Sequence, residues 1–467
     1  MATTITEVSA ARTRATVVVV SAAAFLASLD LFIVNIAFPD IRTAFGNADL
    51  GAMSWVLNGY TVVFAAFLNP AGRLGDRYGH RRIFLWGLAV FTLGSTACGL
   101  SGSFGLLVAS RVVQALGAAM LMPSSLALLL AAVPAARRAT AVSTWSAVGA
   151  MAAALGPPLG GLLVEFSWRW IFFVNVPLGV LALAVGPVVL AKTTTSGTGL
   201  PDLFGALCVV VGVGALVWAL IEIPTPEAST PMLAVAVAVA VTAMAVAIWR
   251  SARHPVPALD LGAVRVLPMW SGCLALLVFS AAFAAMLLGS VMFLTTIWGL
   301  GPAAAGLCLS PGPIVVVLVS LTLAGRLIGR FGVGTVAAAG AVTYALGVVI
   351  WLCRIGPEPD YLADFLPGQL FTGAGVGLVI PSLSAVTGLA LPAQQWGAGS
   401  ALTNTARQLG TVLGTAVLTV VYAPGIDLAS IRLGWELIIG GAGTAALIAA
   451  ALAICWHRAD GHVSVKS

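Results

Sequence analysis

Charged residues are scarce in this sequence: Asp, Glu, Lys and Arg make up 8% of the 467 residues, whereas hydrophobic residues make up 60%. A soluble domain carries about 25% charged residues, so this chain lacks the polar groups to cover a surface facing water. Residues 16–38, 232–249 and 434–456 contain at most one charge each. Because about 20 apolar residues cross a bilayer core as a helix, the sequence predicts an all-α polytopic membrane protein.

The sequence also lacks the residue patterns of a catalytic or metal site. The six cysteines stand singly, and the four histidines (His80, His254, His457 and His462) fall in loops or the tail without the spacing of metal ligands. No glycine-rich phosphate loop follows a strand, which excludes ATP as the energy source. We therefore expect that the protein is not an enzyme and that it uses no cofactor. The basic residues behind the net charge of +6 are scattered through short loops, which disfavours nucleic acid as a partner.

Hydropathy along the chain predicts fourteen membrane spans. They lie near residues 16–38, 51–71, 82–101, 104–131, 139–163, 169–191, 203–221, 232–249, 268–296, 303–328, 333–353, 363–391, 397–421 and 434–456. The first run is too long for the apolar part of a signal peptide and lacks a small-residue cleavage site. We therefore expect it to be retained as a helix.

The charges between the spans predict an orientation. One alternating set of connections is basic and holds Arg12, Arg14, Arg73, Arg77, Arg81, Arg82, Arg137, Arg138, Lys192, Arg250, Arg253, Arg265, Arg326, Arg330 and Arg458. The other set is mainly acidic and includes Asp40, Asp49, Glu165, Glu222, Glu227, Glu358, Asp360, Asp364, Asp427 and Glu436. Because basic loops stay in the cytoplasm, both termini are expected there, which requires an even number of spans.

The sequence contains an internal repeat. Residues 71–79 (AGRLGDRYG) recur as residues 324–332 (AGRLIGRFG), each time just after a predicted span. Residues 111–124 (RVVQALGAAMLMPS) align with residues 369–382 (QLFTGAGVGLVIPS), and the same offset places Gly156 opposite Gly414. Chance similarity between helices rich in Ala and Gly is the alternative for any one match, but ordered matches at nearly one offset make it a poor explanation.

The repeat predicts a division of the chain into three parts. Residues 1–192 and 266–467 form two six-helix halves, and residues 193–265 add two transmembrane helices between them. Parallel six-helix repeats of this kind hold substrate near the bilayer midplane, at the interface between the repeats. The substrate site is then opened to each side in turn by one half moving against the other.

Four motifs give the sequence a family resemblance. They are Asp30 with residues 34–39 (VNIAFP), the loop 72–82 (GRLGDRYGHRR), residues 111–117 (RVVQALG), and Gly149 with residues 155–161 (LGPPLGG). Together they resemble the motifs of the fourteen-span drug:H+ antiporters of the major facilitator superfamily, although Ala115 stands where glycine is usual. Residues 168–177 (WRWIFFVNVP) are similar to the run that opens the sixth span in that family. The resemblance covers essentially the whole chain and implies the major facilitator fold.

Asp30 is the only acid well inside an apolar span, and an intramembrane carboxylate is costly enough to indicate a function. At 1.5 Å per residue, Asp30 and Arg111 fall at nearly the same depth in a core of about 30 Å. Burial and a nearby arginine act in opposite directions on the proton affinity of a carboxyl group. We therefore predict that Asp30 and Arg111 couple transport to protons, with Gln114 one turn from Arg111. A static pair that fixes helix packing is the alternative.

The resemblance also implies two gating elements, formed by Gly149, Gly156, Pro157, Gly160 and Gly161 in one span and by Gly72, Asp76, Arg77 and Arg81 in one loop. The glycine-rich helix face is expected to form the tight, bent outer gate typical of exporters, with ordinary small-residue packing as the alternative. In similar transporters the charged loop latches onto the second half. Anchoring of basic residues at the cytoplasmic side explains the arginines of this loop equally well.

The predicted substrate cavity is mainly apolar and aromatic. Its candidate residues are Asn35, Trp55, Asn58, Tyr60, Gln114, Trp145, Phe283, Phe293, Asn404, Arg407 and Gln408. Arg407 is the second costly charge inside a span. A place in the cavity and a hydrogen bond to a backbone carbonyl are equally good explanations for it.

These features predict a proton-coupled antiporter that exports amphipathic, often cationic, drugs or antibiotics across a bacterial inner membrane by alternating access. Its expected partners are a small-molecule substrate, protons and the lipid bilayer, and it is expected to function as a monomer. An exporter dedicated to an endogenous metabolite is the alternative. The glycine-rich motif and the two additional spans disfavour a sugar-type symporter. A structural scaffold would not need Asp30, Arg111 and Arg407 at depth.

Overall fold

The computed structural model of the protein describes residues 2–46, 49–134, 138–191, 199–223, 229–259, 266–391 and 396–463. Throughout these residues the regular secondary structure is helical. The first helices are α1 (Ala2–Ala44), α2 (Leu50–Tyr78), α3 (His80–Leu100), α4 (Phe104–Ala132), α5 (Arg138–Phe166), α6 (Trp170–Phe173), α7 (Asn175–Val189), α8 (Leu203–Glu222) and α9 (Thr230–Arg253). The remaining helices are α10 (Leu267–Met292), α11 (Pro302–Leu309), α12 (Pro311–Val319), α13 (Gly325–Phe331), α14 (Val333–Arg354), α15 (Leu366–Ala390), α16 (Trp396–Tyr422) and α17 (Leu428–Val463). Short π-helical segments occupy Phe293–Ile297, Ser320–Ala324 and Tyr361–Phe365.

Length and hydropathy support twelve of the fourteen predicted membrane spans within the described residues. The described residues contain 12 helices long and apolar enough to cross a membrane, so the predicted count of fourteen is not confirmed. The two other predicted spans, 139–163 and 397–421, are helical in α5 and α16. In α5 the described part includes the apolar stretch Met151–Phe166. Polar residues, Arg407 among them, lower the hydropathy of α16.

Contacts divide the chain into two compact units. The first comprises Met1–Asn47, Trp55–Val211 and Ala243–Leu259, and the second comprises Ala48–Ser54, Gly212–Thr242 and Asp260–Ser467. Within the first unit, α3 packs along α4 and α1 packs along α5. Within the second unit, α14 packs along α15 and α10 packs along α16. The predicted boundary residues 192, 193 and 265 lie outside the described residues, as do Arg137, Lys192, Glu227 and Arg265.

Glycines allow the principal helix pairs of each unit to approach closely. A Cβ atom at Gly117 of α4 would overlap the backbone of Phe91 in α3. At Gly375 of α15, which the internal repeat aligns with Gly117, a Cβ atom would lie 2.6 Å from the carbonyl oxygen of Gly340 in α14. Because apolar surface gains little from burial in a bilayer, helices there associate through small residues that permit close van der Waals contact. The repeat in the sequence is therefore also a repeat in helix packing.

We expect Gly414→Ala to destabilise the protein by about 1–3 kcal/mol, since overpacking at a backbone contact forces two helices apart. A Cβ atom at Gly414 in α16 would overlap the carbonyl group of Ala281 in α10. Gly149→Ala is the matched control, because its Cβ atom would lie 3.6 Å from the Ser28 hydroxyl, an ordinary contact. Thermal unfolding in detergent should show a lower midpoint for Gly414→Ala alone. Equal midpoints for both variants would contradict the close contact.

A buried ion pair joins α8 to α9. Asp202 is 1% exposed, and it accepts hydrogen bonds from Arg250 Nη2 at 2.9 Å, Arg250 Nε at 3.0 Å and the Gly205 amide at 2.8 Å. The chain that follows α9 contacts the start of α8, because the Asp202 amide donates to the Val256 carbonyl at 3.0 Å. Asn69 of α2 donates to the next carbonyls, Ala258 at 2.9 Å among them. The ends of α8 and α9 are thus fastened to α2.

Asp202→Asn should lower the unfolding temperature at neutral pH. Burial raises the pKa of the Asp202 carboxyl, but hydrogen bonds from Arg250 and Gly205 outweigh it, so the net pKa lies below the usual value of about 3.9. A depressed pKa in the folded protein means that the stabilisation is present at neutral pH and disappears as the pH falls through that value. Wild type and variant should therefore unfold alike in strong acid. Glu165→Gln, on an exposed side chain, should match wild type throughout.

Candidate functional site

A buried polar cluster lies in the first unit, centred on Asp30 of α1 and Arg111 of α4. Their side chains are 0% and 1% exposed, and Arg111 Nη1 donates to Asp30 Oδ2. Arg111 Nε donates to the Val56 carbonyl at 3.1 Å, and the guanidinium carbon lies 4.1 Å from the centre of the Tyr60 ring. The two residues that the sequence placed at one depth therefore form an ion pair, closed off on one side by α2.

Two amide side chains complete the surroundings of the carboxylate. Gln114 Nε2 donates to Asp30 Oδ1 at 2.9 Å, while its Oε1 accepts from Arg111 Nη1 at 2.8 Å. Asn175 Nδ2 lies 3.3 Å from Asp30 Oδ1 and 3.0 Å from Ser95 Oγ. Gln114 was predicted from its position one turn after Arg111. The contacts of Asn175 and Ser95 were missed, although residue 175 belongs to the motif 168–177, which was the available signal.

Local helix geometry explains how these side chains meet. Helix α6 ends at Phe173 and α7 begins at Asn175, with Val174 alone between them. The Asn175 side chain therefore lies at the start of a helix, directly beside the cluster. Gly94 of α3 lets α4 approach at Gln114, since a Cβ atom there would lie 2.8 Å from the Gln114 backbone. Ser95 Oγ donates to the Phe172 carbonyl at 2.8 Å and so ties α3 to α6. The Asp30 site is thus built from five helices of one unit.

The cluster is arranged for an ionised carboxylate. Each hydrogen bond described for Asp30 comes from a donor, namely Arg111, Gln114 or Asn175. A protonated Asp30 would need an acceptor instead. Asn175 Oδ1 is buried and has no hydrogen-bond partner among the described residues. Rotation of that amide would therefore allow Asn175 to serve either protonation state of Asp30.

The other cavity candidates in the first unit occupy two kinds of environment. Asn35, Trp55 and Trp145 are partly exposed; Asn35 Nδ2 donates to its own helix at the Leu31 carbonyl, and Trp145 Nε1 donates to Ser125 Oγ. Asn58, Tyr60 and Gln114 are wholly buried. Tyr60 and Gln114 pack within the Asp30 cluster, and their place in the substrate cavity stays a prediction.

The cavity candidates in the second unit are also divided. Phe283 is partly exposed on α10. Phe293 is fully buried, with its ring centre 4.8 Å from that of Trp298 and 5.5 Å from that of Trp435. An aromatic core thus encloses Phe293, and its place in the substrate cavity stays a prediction. Asn404, Arg407 and Gln408 form a polar group on α16, where Arg407 Nη2 donates to Asn404 Oδ1 at 3.2 Å.

The predicted gating residues form two separate groups. The glycine face of α5 lies on α1, where Cβ atoms at Gly156 and Gly160 would crowd Phe32 and Ile33. Pro157 and Gly161 are buried beside them on α5. The outer-gate motif thus packs on the helix that carries Asp30.

The loop group lies at the junction of α2 and α3, where Gly79 has a φ of 93°. Asp76 Oδ1 lies 3.1 Å from His80 Nε2 and Asp76 Oδ2 lies 4.0 Å from Arg73 Nη1. Arg81 donates to the Pro187 carbonyl at the end of α7. Gly72 packs near Pro123 of α4, and the Arg77 guanidinium lies 5.4 Å from the Tyr78 ring. The gating roles of these residues stay predictions.

Comparison with known proteins identifies the family. The sequence model of the Major Facilitator Superfamily matches residues 20–321, which include Asp30, the loop motif, Arg111 and the glycine face of α5. The chain belongs to the major facilitator superfamily. The family predicted from the four motifs is confirmed, and this facilitator is a multi-pass membrane transporter rather than an enzyme.

Several relatives of this facilitator are named for drug resistance or export. The chain is 36% identical to the multidrug resistance protein Stp of Mycobacterium tuberculosis (strain CDC 1551 / Oshkosh), over 85% of this chain and 74% of that protein. It is 33% identical to the tetracenomycin C resistance and export protein of Streptomyces glaucescens, over 87% and 76% of the two chains. A methylenomycin A resistance protein of Bacillus subtilis (strain 168) is 30% identical, over 88% of each chain.

Solved structures support the fold at much lower sequence identity. The crystal structure of a D-xylose-proton symporter matches this facilitator with a TM-score of 0.67 and 14% identity, over 93% of this chain and 96% of the symporter. A structure of the nucleoside transporter NupG gives a TM-score of 0.63 and 11% identity, over 93% and 99% of the two chains. At these identities the likeness establishes a shared helical architecture. The substrate has to be inferred from the residues of the site.

Proposed function

We propose that this facilitator is a proton-coupled antiporter that exports amphipathic organic molecules by alternating access. The observation that carries the proposal is the Asp30–Arg111 pair. Its acid, Asp30, has no exposed surface and lies in a helix expected to cross the membrane. Proton binding at Asp30 neutralises the carboxylate and frees Arg111 from its counter-ion, which gives the protein two electrostatically different states. A ligand shifts such an equilibrium by as much as its affinities for the two states differ.

The same proposal includes an architecture and a location. The proposed architecture has fourteen spans, and along the sequence α8 and α9 lie between two six-helix halves. The transporter lies in the inner membrane of a bacterium, with both termini in the cytoplasm. The proton gradient supplies the energy, so neither ATP nor a cofactor takes part, and one copy of the chain suffices. The basic connections predicted for the cytoplasmic side support this orientation.

The substrate is either one of several drugs or a single metabolite that the cell makes. The name of the Stp relative, a multidrug resistance protein, supports the first. The tetracenomycin C and methylenomycin A relatives are each named for one compound, which favours a dedicated exporter as the second candidate. Retention of many unrelated compounds by a deletion strain would favour the first, and retention of one endogenous compound would favour the second.

Transport by the purified protein in liposomes tests the coupling. We expect a fluorescent amphipathic probe to move against its gradient when a pH gradient is imposed, and the opposite proton flux to appear in the signal of a pH dye. A protonophore should abolish both signals. Accumulation that persists at the same rate after the proton gradient has collapsed would rule out proton antiport.

A further inference from the structure

Arg407 is a deep cation that has no counter-ion among the described residues. It lies about 17 Å from the start of α16 and about 22 Å from its end, at 1.5 Å per residue. Across the part of the chain that the structure describes, its one hydrogen-bond partner is Asn404 Oδ1, at 3.2 Å. None of the ion pairs within that part includes Arg407. A guanidinium group at this depth is costly and normally pairs with an acid or with carbonyl groups.

Other arginines of the protein show what a satisfied guanidinium looks like here. Arg111 has the Asp30 carboxylate and the Val56 carbonyl, and Arg250 has the Asp202 carboxylate. Arg169 donates to two carbonyls, at 2.7 and 2.9 Å. Arg407 therefore differs from these arginines, because within the described ranges its side chain has neither an acid nor a carbonyl partner.

Unused hydrogen-bonding capacity extends to the next residue. Gln408 is 4% exposed, and its Nε2 has no hydrogen-bond partner among the described residues. A buried donor left without an acceptor costs about 1–3 kcal/mol. The Arg407 side chain is partly exposed, so a ligand can reach it. Asn404 already holds one nitrogen of the guanidinium group and orients the rest.

The chemistry of these groups selects an anion. A guanidinium fork binds a carboxylate or phosphate oxygen pair through parallel N–H donors, and this bond is strong where water is scarce. Phosphate headgroups of lipids lie at the edges of a core of about 30 Å, whereas Arg407 is distant from both ends of its helix. The acid that could attract a cation, Asp30, is already neutralised by Arg111.

We propose that Arg407 binds the anionic group of the exported molecule, and that the substrates are amphipathic organic acids. This inference rests on the proposed export function and names its substrate class. It differs from the sequence-based expectation of cationic drugs, because Arg407, the deep charge that has no ion-pair partner in the described part of the chain, is positive. The carboxylate of the substrate supplies the acid partner for Arg407, and Asn404 orients the guanidinium group through its hydrogen bond.

Three probes that share one fluorophore test the charge preference: dansylglycine (a carboxylate), its methyl ester (neutral) and dansylcadaverine (a cation). Binding to the purified protein in phosphatidylcholine nanodiscs requires no gradient. We expect wild type to bind dansylglycine about tenfold or more tightly than the other two probes, and Arg407→Gln to lose that preference. Arg407→Lys should retain part of it, since the charge is kept. Arg326→Gln, which changes an exposed arginine of the same unit, should behave as wild type.

The possible outcomes separate this inference from the proposed function. Equal affinities for the three probes, tighter binding of dansylcadaverine, or an unchanged preference in Arg407→Gln would overturn the anion site. Retention of phosphatidylglycerol by wild type, but not by Arg407→Gln, in native mass spectrometry would assign Arg407 to a lipid and also overturn it. A wild type that prefers dansylglycine yet ignores a pH gradient in liposomes would instead refute antiport and leave the anion site standing.

Discussion

Asp30→Asn is expected to reduce proton-driven transport to the rate of protein-free liposomes while the protein still folds. Asparagine has nearly the shape of aspartate and can accept a hydrogen bond from Arg111, but it cannot bind and release a proton at physiological pH. Arg111 also keeps its bonds to the Val56 carbonyl and to Gln114, so the cluster retains partners for its cation. The variant should therefore lose coupling before it loses structure.

The decisive measurement compares driven with passive transport in the same liposomes. Asp30→Asn should still exchange substrate down the substrate's own gradient, whereas an imposed pH gradient should no longer move it uphill. Asp30→Glu keeps a titratable acid and should retain some driven transport. Glu165→Gln removes an exposed acid of the same unit and serves as the matched control. Full uphill transport by Asp30→Asn would mean that another residue couples transport to protons. The Asp30–Arg111 pair would then serve only to fix helix packing.

Arg111→Gln should destabilise the protein by about 3–5 kcal/mol, the usual cost of leaving one member of a buried ion pair behind. The Asp30 carboxylate would then be 0% exposed without its cation, and the interaction with the Tyr60 ring would be lost as well. Thermal or denaturant unfolding in detergent at neutral pH measures the change. Arg432→Gln removes an exposed arginine and should have little effect.

A double variant shows whether the charge pair itself is responsible. Asp30→Asn/Arg111→Gln leaves two neutral, hydrogen-bonding side chains in the cluster and should be more stable than Arg111→Gln alone. Neighbouring sites that interact deviate from additivity by about 0.5–3 kcal/mol, so the cycle has a measurable signal. Strictly additive effects would show that the contact between the two charges contributes nothing to stability.

The sequence predicted the positions of the helices better than which side of each helix is buried. Hydropathy located the helices, and depth along the helices predicted that Asp30 would meet Arg111. Burial was harder to predict, because a membrane helix is apolar all around and its pattern does not separate a lipid-facing side from a protein-facing side. For that reason Phe293 was assigned to a cavity although an aromatic core encloses it.

Contacts between distant segments lay beyond the reach of the sequence. The pairing of Asp202 with Arg250 depends on how α8 and α9 meet, and neither residue stands in a motif. Asn175 contacts Asp30 from the start of α7, and its place in the motif 168–177 did not predict this contact. The sequence did mark Arg407 as costly, but the structure was needed to show that the acid it should pair with is missing from the described residues.

The glycine contacts shared by the two units show which features of the internal repeat are common to both copies. Gly117 and Gly375 occupy matching places and serve the same close helix contact, so both copies kept the residue that holds the helices together. The charges did not follow: Arg111 in the first copy corresponds to Gln369 in the second, and Gly149 corresponds to Arg407. The two units thus share their close helix contacts but differ in their deep charges: Asp30 pairs with Arg111 in the first, whereas Arg407 in the second has no ion-pair partner among the described residues.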